Sequence, residues 1–108
     1  MPSWQYAAMP EYTISTQSGR DWPDMPAGDL SSYLLPKSLQ CKIVDDSEGL
    51  VFRAGKATVS VYWELAGTWY IDIEGSESSG SADLIAAEIA QQLGVATGEQ
   101  AVQYKVTD

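Results

Sequence analysis

The sequence predicts an α+β fold in which an antiparallel sheet packs on one main helix. Two observations carry that expectation. Apolar and polar residues alternate with period two through residues 50–75, interrupted by glycine-containing bends, the pattern of a half-buried meander. Residues 82–93 instead repeat their apolar positions every three to four residues, as a helix lying on such a sheet must.

The first 38 residues are the least regular. Trp4, Tyr6, Met9, Tyr12, Ile14, Trp22 and Met25 are scattered among Pro2, Pro10, Pro23 and Pro26. Disordered segments are poor in aromatics, so residues 1–38 read as an arm that wraps or covers the sheet. Within it, Glu11-Tyr12-Thr13-Ile14-Ser15 alternates as a short strand. Asp29 caps a helical turn through Tyr33 and Leu34, which Pro36 stops. A further strand is expected over 39–44, and Asp45-Asp46-Ser47-Glu48-Gly49 is the polar connection into the meander.

The turns set the register of the meander. With Gly55 first in a two-residue type II′ turn, Phe52 faces Val59 and Leu50 faces Val61. A three-residue loop, Leu65-Ala66-Gly67, puts Gly67 at its left-handed position and pairs Glu64 with Thr68, Trp63 with Trp69 and Tyr62 with Tyr70. A slip of one residue would send Trp69 and Ile71 into water. Val59, Val61, Trp63, Trp69, Ile71 and Ile73 therefore share the core face.

After Glu74 comes a polar link of Gly and Ser, residues 75–80. Ser81 is the expected cap of helix 82–93, Asp83 a first-turn carboxylate at its positive end, and Gly94 its stop. Ala82, Ile85, Ala86, Ile89, Ala90 and Leu93 form the apolar stripe, leaving Asp83, Glu88, Gln91 and Gln92 in water. Residues 101–106 alternate again as a last strand, with Val102, Tyr104 and Val106 on one side. The pattern does not fix its direction.

Composition narrows the function. A chain of 108 residues, 44% hydrophobic, is expected to form one domain, 1–108. No stretch approaches the roughly 20 apolar residues that span a bilayer, and no signal-like segment opens the chain. Cys41 stands alone and reads as a small buried hydrophobe, so a soluble protein in the reducing cytoplasm is expected. Histidine is absent, which removes the usual general base, the Ser-His and Cys-His nucleophiles and the commonest transition-metal ligand. With no motif to organise carboxylate chemistry, no enzyme activity, cofactor or metal is expected. Fifteen acids against six bases leave a charge of −9, unsuited to a phosphate backbone or an anionic membrane. The acidic turn 45–49 lacks EF-hand spacing, and Gly75–Ser81 lacks the phosphate-loop pattern.

Opposite the core face, the register gathers Tyr62, Glu64, Tyr70, Asp72 and Glu74. Amphipathic rings beside carboxylates suit a basic protein surface offering Arg or Lys. The plainer alternative is a solvated sheet face with a Tyr62–Tyr70 cross-strand pair. The expected function is that of a small acidic binding or inhibitor protein, such as an immunity (antitoxin) or anti-defence protein, whose partner is a basic toxin or nucleic-acid-binding protein. The rival is an assembly subunit that oligomerises through its N-terminal arm.

Overall fold

Residues 50–74 fold as their alternation requires. In the computed structural model, which describes residues 10–19, 22, 30–47, 49–63, 67–76 and 79–107, strands β3 (Leu50–Ala54), β4 (Ala57–Trp63) and β5 (Trp69–Glu74) are joined as antiparallel hairpins. Phe52 faces Val59, Leu50 faces Val61, Trp63 faces Trp69 and Tyr62 faces Tyr70. Gly67 has a φ of 86°, a conformation that a β-branched residue resists, and it returns the chain into β5. Glu64, Leu65 and Ala66, and with them the expected Glu64–Thr68 pair, lie outside the described residues.

Three more strands, β1 (Glu11–Thr16), β2 (Cys41–Asp45) and β6 (Ala101–Thr107), complete a six-stranded sheet of order β2-β3-β4-β5-β1-β6. Every neighbouring pair is antiparallel, which settles the direction of the last strand. β2 begins later than the apolar run from Leu39 implies, because the Leu39 N–H turns back to the Pro36 carbonyl at 3.3 Å. β1 does more than cover an edge: it lies inside the sheet. The Ile73 N–H donates to the Pro10 carbonyl at 3.1 Å, and the Gln17 N–H donates to the Gln100 carbonyl at 2.7 Å. Antiparallel ladders alternate, so even-numbered residues of β1 bond to β5 and odd-numbered ones to β6.

Helix α2 (Ser79–Thr97) buries the stripe its period predicts: Ala82, Ile85, Ala86, Ile89, Ala90 and Leu93 all join the core with Tyr12, Ile14, Phe52, Val59, Val61, Ile71 and Ile73. Its ends differ from expectation. The helix starts at Ser79, so Ser81 is inside it and Asp83 falls beyond the first turn. There the Tyr12 hydroxyl donates to Asp83 Oδ1 at 2.6 Å and Lys105 Nζ lies 3.0 Å from the same oxygen. The Tyr12 hydrogen bond first, then Lys105, hold the Asp83 carboxyl below its usual range. Asp83 thus joins α2 to β1 and β6 rather than answering the helix dipole.

The other end runs past Gly94 to Thr97, and the Gly98 N–H donates to the Gly94 carbonyl at 2.9 Å. A Cβ on Gly94 would stand 2.9 Å from the Glu99 carbonyl oxygen. Residue 94 is glycine because the chain entering β6 folds back against it. Two of the polar residues expected in water also have structural partners. Gln92 Nε2 donates to the carbonyls of Tyr33 and Leu35, both at 2.8 Å, and its Oε1 accepts from the Lys37 N–H at 2.9 Å. Glu88 accepts from the Ser38 N–H at 2.9 Å. Together they hold the short helix α1 (Leu30–Leu34) and the chain after it against α2.

Parity assigns Trp63 to the helix-bearing side, yet it is 47% exposed, whereas Trp69 is 5% exposed. Trp63 is the last residue of β4 and meets Trp69 edge-on, with ring centroids 5.2 Å apart. Parity fixes the side of the sheet, not the cover above it. Cys41 is only partly buried, packed at the margin of the core, and burial followed by the charge of Glu88 pushes its thiol up.

Gly94→Ala tests the close approach. Alanine is the better helix former by about 1 kcal/mol, yet the contact with Glu99 should reverse the sign and lower stability by about 1–3 kcal/mol in urea melts. A neutral or stabilised variant would remove this account of Gly94. Trp69→Ala should cost about 3–5 kcal/mol in the same melts, and an unchanged midpoint would overturn its place in the core.

Candidate functional site

The core face of the sheet carries α2, and among the described residues no helix covers the opposite face. The strands lay that face, open among the described residues, out in rows. Tyr62, Tyr70, Thr13 and Tyr104 follow one another across β4, β5, β1 and β6. Ser60, Asp72 and Glu11 form the adjacent row, and Thr58 and Glu74 the next.

Four of the five residues singled out by the sequence are described, and the fold brings them together. Tyr62 and Tyr70 stack with ring centroids 5.0 Å apart and planes 30° from parallel. Tyr62 is 39% exposed, Tyr70 and Asp72 are half-buried, and Glu74 is exposed. Glu64 lies outside the described residues. The fold adds Glu11, directly opposite Asp72, and Tyr104 at the end of the tyrosine row. Both sit in strands whose alternation is visible in the sequence. That they neighbour the hairpin is not, because strand order is a long-range choice.

The electrostatics of this face are strained. Asp72 Oδ1 is buried and, among the described residues, has no hydrogen-bond partner. Burial, then the charges of Glu74 and Glu11, push its carboxyl up. The Tyr70 hydroxyl is also pushed up, by burial first and then by its hydrogen bond to Glu11, so it stays protonated and donates to that carboxylate. On the far side of Thr58 the same row continues to exposed Arg53 and Lys42. The acidic patch is therefore bounded on its β2–β3 side by two cations.

The other carboxylate-rich stretch has a local role. Asp45 Oδ1 accepts from the Ser47 N–H at 2.9 Å and from the Ser47 hydroxyl at 2.8 Å, closing the turn after β2. The Ser47 backbone bond, then its hydroxyl, hold the Asp45 carboxyl below its usual value. Among the described residues, no three His, Cys, Asp or Glu side chains are placed to hold a metal ion. A groove of about 500 Å³ runs between the Gly55-Lys56 turn and α2, past Leu39, Leu84 and Ile85. Its charged lining residues are Lys56 and Glu88, and Glu88 is engaged by Ser38.

The chain matches no protein-family model, no curated protein and no solved structure.

Asp72→Asn tests the strain. A carboxylate whose folded pKa is raised destabilises the fold at pH above that value, and the penalty vanishes below the unfolded pKa. At neutral pH the variant should be more stable by up to about 0.5 kcal/mol, and the two proteins should converge in acid. Urea melts at both pH values decide it, and a wild type more stable than the variant at neutral pH would refute the strain.

Proposed function

We propose that this protein is a non-catalytic binding protein that takes a basic protein surface on its open sheet face. The observation that carries the reading is Asp72: a carboxylate with a buried oxygen that lacks a donor among the described residues, near Glu11 and Glu74 and beside a tyrosine stack. A buried acceptor without a partner costs stability, and clustered like charges add to that cost. An arriving Arg or Lys offsets both, because a nearby positive charge favours the ionised carboxylates, and the exposed Tyr62 ring offers a platform for a guanidinium. Groups perturbed in this way cluster at functional sites.

The chemistry suits an inhibitor, such as an immunity or anti-defence protein that occludes the cationic surface of a toxin or nucleic-acid-binding protein. Blocking such a surface needs complementary charge and shape but no reaction. Long-range attraction from a chain of net charge −9 speeds the encounter. Lys42 and Arg53 at one border repel a uniformly basic surface there, which gives the docked partner a preferred orientation.

The test is affinity capture from host lysate with three folded proteins: wild type, a Tyr62→Ala, Tyr70→Ala, Asp72→Lys variant, and an Asp46→Lys control that adds the same charge in the turn after β2. A basic protein should be retained by wild type and control, lost from the face variant, and released by salt. If all three retain the same proteins, the face is only a solvated sheet surface.

A further inference from the structure

The two edges of the sheet are unlike. β2 is five residues long, is bulged between Ile43 and Asp45, and runs directly into Asp45 and Asp46. Shortness, a bulge and charge are the usual protections of an edge strand. β6 is seven residues long, its one irregularity, between Lys105 and Thr107, falls at its far end outside residues 101–105, and the stretch Gln100 to Thr107 contains no acid and no proline in a chain with 15 acids. Its one charge, Lys105, is drawn to Asp83 on the helix side. Tyr104 and Val106 are 56% and 53% exposed on this strand.

The backbone phase of β6 is fixed by the Gln17 to Gln100 hydrogen bond. Gln100, Val102 and Tyr104 turn their peptide groups toward β1, so Ala101 and Gln103 turn theirs to the outer edge. Among the described residues no strand lies on that side.

From this edge we infer that β6 pairs antiparallel with β6 of a second copy of this chain, about a two-fold axis at Gln103. An isologous contact of this kind must be self-complementary. Centred on Gln103, the register sets Gln103 against itself and Val102 against Tyr104 on the open face, an aromatic with a β-branched residue. No like charges meet. The two sheets become one, and the tyrosine rows of the two open faces run toward each other across the axis. The charge of −9 on each copy opposes association, so screening by salt strengthens it. That is the reverse of the salt effect expected for a basic partner on the acidic face, which keeps the two readings separable.

Sedimentation of the full chain over a range of concentrations, at low and high salt, tests the pairing. Wild type should rise from the monomer mass to twice that mass, at lower concentration in high salt. Gln103→Pro removes an outward N–H that β1 does not use, so the strand should hold its place while the edge is blocked. Tyr104→Lys places an ammonium on each side of the axis at an exposed position. Both should remain monomers with wild-type circular dichroism, and Tyr104→Lys alone carries the comparison if the proline variant does not fold. A wild type that stays monomeric at all concentrations overturns the inference, as does a doubling of mass that the folded variants share.

Discussion

The structure turns on the insertion of residues 11–16 between β5 and β6. A strand in that position is hydrogen-bonded on both sides, and its alternation places Tyr12 and Ile14, neither exposed at all, in the centre of the core. Without β1, the edge of β5 would be open and β6 would have no neighbour. The same strand delivers Glu11 to Asp72 and the Tyr12 hydroxyl to Asp83, so one short segment completes both the acidic face and the tie between sheet and helix. Both edges of β1 are hydrogen-bonded within the chain, to β5 and to β6.

The hairpins were legible because their determinants are local. Period-two alternation fixes which side chains share a face, turn length fixes who stands opposite whom, and a one-residue error would expose Trp69 and Ile71. The helix stripe was legible for the same reason, since 3.6 residues per turn align Ile85, Ile89 and Leu93 whatever lies beneath them. Strand order was not. Nothing within Glu11-Tyr12-Thr13-Ile14-Ser15 says which edges it will fill, so Glu11 and Tyr104 could not be added to the tyrosine and carboxylate face from sequence. Gly94 shows a different failure. Glycine signals a helix stop when it is needed for its backbone freedom, but here it is needed for the space that the Glu99 carbonyl occupies, and the two uses look identical in a sequence.

The acidic face and the core obey opposite rules. In the core each apolar residue finds neighbours, and stability follows from burial. On the open face Asp72, Glu74 and Glu11 are held near one another without a cation among their paired neighbours, and the nearest cross-strand cation in the Glu74 row, Arg53, is separated from Glu74 by Thr58. A sheet face selected only for solubility would intersperse its charges, because alternating signs lower the repulsion at no loss of hydration. Segregation of acids around a tyrosine stack has a cost in the free protein, and natural proteins accept such costs most often where a ligand repays them.

These charges also discriminate between the ways in which two copies can meet. Stacking this face on itself would bring Asp72, Glu74 and Glu11 of both copies together at short range. Like charges across a contact are strongly unfavourable, so face-to-face association is suppressed. The acid-free β6 edge escapes that repulsion, since pairing there leaves the two acidic patches side by side in one plane rather than opposed. If two copies pair in that way, both faces stay accessible, and a basic partner able to reach both would bind bivalently, a weak contact at each face becoming a stronger one overall through the effective concentration of the second.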